Sequence, residues 1–171
     1  MLRALIENRI SAAERRLGVP AEYMRHILHV SLRAFLKFTK IMPLAEYHRV
    51  LPADAFHVAR LAATREEDCG SCLQIEINLA KRDKVKPQII RACVNGKLED
   101  IPEQLADVYR FAEAVVRRTG DDEMYRERIR ELYGDEGLVE LAMAIAVCRV
   151  FPTTKRALGY AQSCSAVHVH L

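Results

Sequence analysis

Apolar residues recur three and four positions apart along almost the whole chain, and this periodicity limits the fold more than any other feature. Runs of alternating β-branched residues, which would indicate half-buried strands, are absent from the sequence. Gly and Pro number only 7 and 6 in 171 residues, so the helical pattern has few interruptions. The sequence therefore predicts an all-α fold, a single-domain bundle of roughly six to eight helices.

Stripes of apolar residues and local stop signals place the first helices. The first helix is expected to end at Gly18, which is followed by Val and Pro. A second helix is expected over residues 21 to 39. Further along, Asp68 has the side chain of a helix N-cap, which would place Cys69 in the first helical position.

The rest of the chain reads as one core with a segment at each end. Residues 1–50 are expected to form a helical extension that packs on the core or on a neighbouring subunit, and 51–162 the core itself. Asp135 is expected to cap the most hydrophobic segment, 138–150, as a buried central helix. Residues 163–171 have a weak pattern and are expected to form a flexible tail.

Charge and composition exclude several classes of protein. With 26 basic and 23 acidic side chains the net charge is only +3, which does not indicate nucleic-acid binding. No stretch approaches the roughly 20 apolar residues of a membrane span, and charges interrupt the N-terminus where a signal peptide would be apolar. Five cysteines, an odd number, predict mostly reduced thiols in a cytoplasmic protein.

One short motif carries chemistry, the run Cys69-Gly70-Ser71-Cys72. Two cysteines three apart at a helix start lie close enough for a disulfide, and the unpaired amides there favour thiolate. The spacing also fits half of a zinc site or two core cysteines. Zinc would need further ligands from distant histidines, either His26 and His29 or His168 and His170.

Two residues near the motif favour redox chemistry. Glu76 lies one helical turn after Cys72, so its carboxylate is expected to reach toward that sulfur. His57 lies on the preceding helix, whose apolar stripe predicts antiparallel packing on the cysteine helix. A His57–Glu76 pair would then take a proton from Cys72. Of the other cysteines, none has a partner pattern, and Cys148 is expected to be a core residue.

From about residue 52 to residue 161 the chain resembles the alkylhydroperoxidase D-like, carboxymuconolactone decarboxylase superfamily. The resemblance is carried by residues 67–72 (EDCGSC), 108–114 (VYRFAEA) and 134–141 (GDEGLVEL). In that family a histidine follows the CxxC motif where this chain has Glu76, and a glutamate precedes it where this chain has His57. The two roles look exchanged, which we interpret as a retained proton relay with its members reversed.

The resemblance also implies a chemistry. It implies that Cys72 attacks the substrate and that Cys69 resolves the sulfenic acid into a disulfide, whereas helix-end electrostatics alone would favour Cys69 as the attacker. Because Glu76 is one turn from Cys72, the sequence interpretation follows the family. The resemblance further implies recharging by an external dithiol of lipoyl or thioredoxin type, no metal or organic cofactor, and assembly as a homo-oligomeric trimer or hexamer.

The sequence thus predicts a thiol-disulfide redox enzyme that reduces peroxide or disulfide with Cys69 and Cys72. Three alternatives stay open. The CxxC motif could bind a metal in a helical protein, the chain could be a non-catalytic oligomeric member of the family, or it could be a decarboxylase-type lyase with dispensable cysteines.

Overall fold

A computed structural model of the chain describes residues 1–161. Helices and the turns between them account for this range, which contains no strand, so the all-α prediction is confirmed. The α-helices are α1 (Leu2–Leu17), α2 (Glu22–Val30), α3 (Leu32–Phe38), α4 (Met42–Ala45), α5 (Ala53–Arg65), α6 (Gly70–Arg82), α7 (Pro87–Asn95), α8 (Glu103–Arg117) and α9 (Asp122–Ala157). Short 3-10 helices cover Thr39–Ile41 and Leu98–Asp100.

Local signals placed the end of α1 correctly and missed a break further on. Gly18 ends α1 in the left-handed conformation, with φ 67°, as its position predicted. The single helix expected over residues 21 to 39 is wrong. Ser31 is extended, with φ −151° and ψ 102°, and its Oγ accepts a hydrogen bond from the amide of Ala34 at 3.1 Å. Serine is among the preferred N-cap residues because its hydroxyl accepts a hydrogen bond from a backbone amide of the first turn. Ser31 therefore begins a new helix.

The centre of the bundle is α5. It packs on α6, α7, α8 and α9, and its residues 55–64 are all buried. Four alanines in that run, at 55, 59, 62 and 63, let the surrounding helices approach closely. Because α5 has no solvent face along this run, its polar residues must find partners inside the protein.

The segment 138–150, expected as the buried central helix, is the core-facing part of α9. Leu141, Ala144, Ile145 and Cys148 lie in the main hydrophobic cluster, and Cys148 is a core residue as predicted. By length and composition α9 could cross a membrane, with a mean hydropathy of 1.4 over an 18-residue window. Its apolar side chains instead pack on α5 and α8, which makes it a core helix.

A backbone break divides α9 into two segments. Gly134 has φ 71° and ψ −179°, a conformation that favours glycine and interrupts the helix. Asp135 follows the break, but the expected capping bond is not formed. Its Oδ1 instead accepts a hydrogen bond from Arg130 Nε at 2.9 Å.

The N-terminal helices pack on the elements that carry the cysteine motif. Asn78 of α6 donates to the carbonyl of Leu17 at 2.6 Å, and the ring of His26 lies 5.5 Å from that of Tyr160. This segment has a small hydrophobic cluster of its own, formed by Ile6, Ile10, Met24, Leu28 and Phe35. Residues 1–45 thereby cover one side of α6 and the end of α9. The tail expected over residues 163–171 lies outside the described residues.

A buried carboxylate fixes the entry to α5. Glu140 of α9, only 1% exposed, accepts hydrogen bonds from the amides of Arg49, Val50 and Leu51 at 2.8 to 3.2 Å. Burial disfavours its charge, but these amides outweigh that effect and hold the pKa of Glu140 below its ordinary value. The loop before α5 is therefore anchored to α9 by one side chain.

Replacing Glu140 with glutamine should destabilise the fold. The amide that replaces one carboxylate oxygen cannot accept these hydrogen bonds, so we expect Glu140→Gln to lower the free energy of unfolding by about 2–4 kcal/mol at pH 7. Because the native pKa is depressed, the difference from wild type should shrink as the pH falls below about 4. Guanidinium unfolding at both pH values measures this. Glu136→Gln, an exposed change one turn earlier, is the control, and equal effects of the two variants would contradict the anchor.

Candidate active site

The cysteine motif begins in the turn between α5 and α6. Asp68 adopts a left-handed backbone conformation, with φ 47°, and Cys69 is the N-cap residue of α6, with φ −126° and ψ 90°. The prediction that Asp68 caps this helix is therefore wrong by one position. Aspartate tolerates the left-handed region better than most residues, and here it turns the chain into α6. The shift places the Cys69 sulfur at the helix mouth.

The two motif sulfurs lie together. Cys69 Sγ and Cys72 Sγ are 2.7 Å apart, and both residues are buried, with 7% and 8% of their surface exposed. A disulfide needs about 2.05 Å, so little movement would join them. The predicted proximity of Cys69 and Cys72 is thus what the structure has.

The environment separates the acidities of the two thiols. Hydrogen bonding from Cys72 lowers the pKa of Cys69 to about 5, against the opposing effect of burial, with further lowering by Ser71, the Cys72 amide and the charge of Lys155. The pKa of Cys72 is raised, first by its hydrogen bond to Cys69 and then by burial. The opposite shifts favour a single negative charge in the pair, on Cys69 rather than on Cys72. This ordering is the reverse of the family-implied assignment of Cys72 as the attacker.

Residues from α9 complete one wall of the site. Lys155 Nζ donates a hydrogen bond to Ser71 Oγ, which lies 3.6 Å from Cys69 Sγ. The buried carboxylate of Glu67 accepts hydrogen bonds from Arg149 at 2.5 Å and Arg156 at 3.4 Å. Arg156 also donates to the Glu67 carbonyl. The end of α9 is thereby fixed to the turn that carries the cysteines.

On another side the site is bounded by α2. Tyr23 is half-buried, and burial raises the pKa of its phenol, with added contributions from the charges of Cys72 and Cys69. The N-terminal segment thus contributes a phenol near the sulfurs.

The predicted relay between His57 and Glu76 is not formed. Both carboxylate oxygens of Glu76 accept hydrogen bonds from Arg60, at 2.7 and 2.8 Å, in a buried pair. Arg60 also donates to the carbonyl of Ala45. With its oxygens engaged by Arg60, Glu76 acts on Cys72 through charge, which contributes to the raised pKa of that thiol. The sequence interpretation failed because it left the charge of Arg60 unpaired.

His57 has a different carboxylate partner. Its Nε2 lies 2.9 Å from Oδ2 of Asp83, which follows the last residue of α6, and its buried Nδ1 has no partner among the described residues. Burial lowers the pKa of His57, so the ring is neutral near pH 7, while Arg82 and then His57 lower the pKa of Asp83 to about 2. No hydrogen bond within residues 1–161 links His57 to Glu76 or to either sulfur.

A spacing signal could have revealed these pairs. His57 and Arg60 are three apart on α5. Their partners, Glu76 on α6 and Asp83 directly after its last residue, are seven apart and in the opposite order. Both spacings keep residues on one helix face, so the two pairs cross an antiparallel interface, as the apolar stripe of α5 predicted. Lys155 lies 84 residues from Ser71, and no local pattern indicates that contact.

A metal centre does not arise from the described side chains. Among residues 1–161 no group of three or more His, Cys, Asp or Glu residues is arranged to hold an ion. Of the zinc ligands considered from sequence, His29 pairs with Glu7 at 2.8 Å and His26 contacts Tyr160. His168, His170 and Cys164 lie outside the described residues.

Comparisons with known proteins show a shared fold at low sequence identity. No family model matches the chain, and curated proteins give no match by sequence. Among solved structures, the chain is similar to a cysteine-to-alanine variant of the debrominase Bmp8 in complex with 2,3,4-tribromopyrrole. The match covers 94% of this chain and 86% of that one, with a TM-score of 0.70 and 16% identity. At this identity the likeness shows the fold.

The Arg60–Glu76 pair generates a test of its structural role. Glu76→Gln leaves the buried Arg60 charge without its anion, so we expect a loss of about 3–5 kcal/mol in the free energy of unfolding. The double variant Arg60→Met, Glu76→Met should be more stable than Glu76→Gln, because it removes both charges. Urea unfolding measures both. The exposed Arg130–Glu127 pair supplies the control, since Glu127→Gln should cost under about 1 kcal/mol. A Glu76→Gln variant as stable as that control would contradict the assignment.

Proposed function

We propose that this protein is a thiol-disulfide redox enzyme in which Cys69 and Cys72 cycle between a thiolate-thiol pair and a disulfide. The observation that carries the proposal is the contact of the two sulfurs at the start of α6, 2.7 Å apart, with one of them acidic. A structural pair of core thiols would have no need of a lowered pKa, and Cys93, a buried core cysteine, has its pKa raised to about 12.

The first candidate reaction is reduction of a hydroperoxide. The thiolate of Cys69 attacks the terminal peroxide oxygen, the O–O bond breaks, and the alkoxide leaves and takes a proton from solvent. The sulfenic acid then reacts with the Cys72 thiol, which forms the S–S bond and releases water. An external dithiol reduces the disulfide and is itself oxidised, which restores both protein thiols. With a disulfide substrate, the Cys69 thiolate attacks one sulfur, the substrate S–S bond breaks, and the other sulfur leaves as a thiolate. Cys72 then displaces the second substrate thiolate from the mixed disulfide and forms the Cys69–Cys72 bond.

The proposal assigns the attack to Cys69. The environment favours the thiolate there, and the amide of Cys72 is among the groups that lower the pKa of its sulfur. Cys72, whose pKa is raised, then resolves the intermediate. This assignment departs from the family pattern, in which the second cysteine attacks. In this proposal His57 and Glu76 have a structural role, because the His57–Asp83 and Arg60–Glu76 pairs hold α5 against α6.

A second candidate is reductive dehalogenation, and the likeness to the debrominase Bmp8 favours it. In this reaction the thiolate removes bromine from an aromatic ring as its carbon takes a proton. The Cys72 thiol then attacks the sulfenyl bromide, forms the disulfide and releases bromide. Two thiols thus replace one C–Br bond by a C–H bond, and the external dithiol reduces the disulfide afterwards.

We also propose a family, an oligomeric state, an electron donor and a location for the protein. The shared fold and the CxxC motif support membership of the alkylhydroperoxidase D-like superfamily. By analogy with it we expect a homo-oligomer, a dithiol donor of lipoyl or thioredoxin type, and a cytoplasmic location. Light scattering of the purified protein tests the oligomeric state.

Oxidation of the purified protein tests the cysteine cycle. We expect one equivalent of an alkyl hydroperoxide to remove two hydrogens and two titratable thiols, and peptide mass spectrometry should locate the new bond between Cys69 and Cys72. Cys69→Ser should lose about 10³-fold or more of the turnover with dithiol. Cys72→Ser should accumulate a sulfenic acid on Cys69. Accumulation on Cys72 in the Cys69→Ser variant would reverse the assigned order.

Two substrates given to the same preparation separate the candidate reactions. Hydroperoxide consumption and bromide release from a brominated pyrrole are each measured with excess dithiol. Turnover of either substrate that Cys69→Ser abolishes supports the cysteine cycle with that substrate class. Equal thiol reactivity in the native and the unfolded protein, with no turnover of either, would contradict the proposal and favour a non-catalytic role.

A further inference from the structure

We propose that Lys155 is a positioning residue of the cysteine pair, which acts through Ser71 to hold the Cys69 sulfur as a thiolate. The inference deepens the proposed function, since it concerns how the same pair is kept reactive. Among the described residues Lys155 makes no hydrogen bond to the sulfur itself. Its ammonium contacts the hydroxyl that lies next to the sulfur, and its charge also lowers the pKa of Cys69.

The contact chain has three members. Lys155 Nζ donates to Ser71 Oγ, so the lone pair of that hydroxyl is engaged and its proton is free to point elsewhere. Cys69 Sγ lies 3.6 Å from the same oxygen. As a thiolate, this sulfur is the acceptor within reach that the hydroxyl proton would stabilise most. An ammonium that polarises a hydroxyl toward a thiolate strengthens the charge-assisted bond.

The surroundings leave the charge of Lys155 directed toward Ser71 and Cys69. Lys155 is half-buried in the last turn of α9, and among the described residues no carboxylate lies within ion-pair distance of it. The neighbouring arginines differ in this respect, because Arg149 and Arg156 both pair with Glu67. Of these three cations, Lys155 is therefore the one that faces the cysteine motif without a neutralising anion in the part of the chain described.

Several other groups bear on the charge of the pair, and the effect of Lys155 must be separated from theirs. They come from every helix that meets the motif: Tyr23 of α2, Arg60 of α5, Cys72 and Glu76 of α6, and Glu67 with Arg149 and Arg156. The carboxylate of Glu76 disfavours a thiolate on Cys72, and Arg60 offsets part of its charge. Lys155 lowers the pKa of Cys69 and also acts on Cys72.

The test is a pH profile of alkylation. Iodoacetamide is reacted with the reduced, full-length protein from pH 4 to pH 9, and fragment-ion mass spectrometry follows the modification of Cys69. We expect Lys155→Met to raise the apparent pKa by about one unit, so that alkylation near pH 5 slows several-fold while the rate at pH 9 stays unchanged. Lys155→Arg should restore most of the shift. Ser71→Ala should raise the pKa in the same direction with Lys155 intact.

Lys97→Met is the matched control, since it removes one exposed positive charge far along the chain from the motif. An unshifted profile in either Lys155→Met or Ser71→Ala would overturn the proposal. So would an arginine variant that shifts as much as the methionine variant. If Lys155→Met does not fold, as judged by circular dichroism, Ser71→Ala alone decides the outcome.

The profile is independent of turnover, so the two proposals fail separately. A shifted profile in a protein that turns over no peroxide, disulfide or aryl bromide keeps the role of Lys155 and rejects the proposed function. Turnover with an unshifted profile keeps the function and rejects the role of Lys155.

Discussion

The fold depends on satisfying a positive charge inside its central helix. Arg60 lies in the run of α5 that solvent does not reach, and an unpaired guanidinium there would cost several kcal/mol. Glu76 meets it with both oxygens, and the carbonyl of Ala45 takes another of its donors. One buried side chain thus ties α5 to α6 and to the end of α4. Because Cys72 lies one turn and Cys69 about two turns before Glu76, this pair also determines where the sulfurs are placed.

The periodicity of apolar residues was sufficient for the fold class, and local stop signals placed the end of the first helix. Gly18 marked the end of α1, because glycine adopts the left-handed conformation at little cost. The break at Ser31 was missed because the apolar pattern continues across it, so that only the capping bond reveals it. Helix caps depend on single side chains, and periodicity averages over such details.

The sequence predicted that Cys69 and Cys72 lie together, but it predicted the wrong partners for His57 and Glu76. Cys69 and Cys72 meet because their spacing is local, whereas the partner of His57 depends on the choice between Glu76 on α6 and Asp83 directly after it. The exchanged family pattern predicted Glu76 as the partner of His57. Glu76 instead pairs with the buried guanidinium of Arg60, and the imidazole of His57 pairs with Asp83. Burial of charge decided the pairing, and burial is a property of the packed protein. Contacts from the end of α9 span more than eighty residues and have no signature in the sequence.

Because α5 is enclosed, the helices that form the scaffold differ from those that present groups to solvent near the sulfurs. Its buried run tolerates little change, since each side chain there contacts neighbours on every side. The groups around the sulfurs that meet solvent come instead from α2 and from the last turns of α9, where Tyr23, Lys155 and Arg156 are partly or largely exposed. The scaffold and the solvent-facing groups around the sulfurs are therefore encoded in separate stretches of the gene. Such an arrangement favours evolvability, because under the proposed function substrate preference could change at α2 and α9 while the frame that holds Cys69 and Cys72 stays constant.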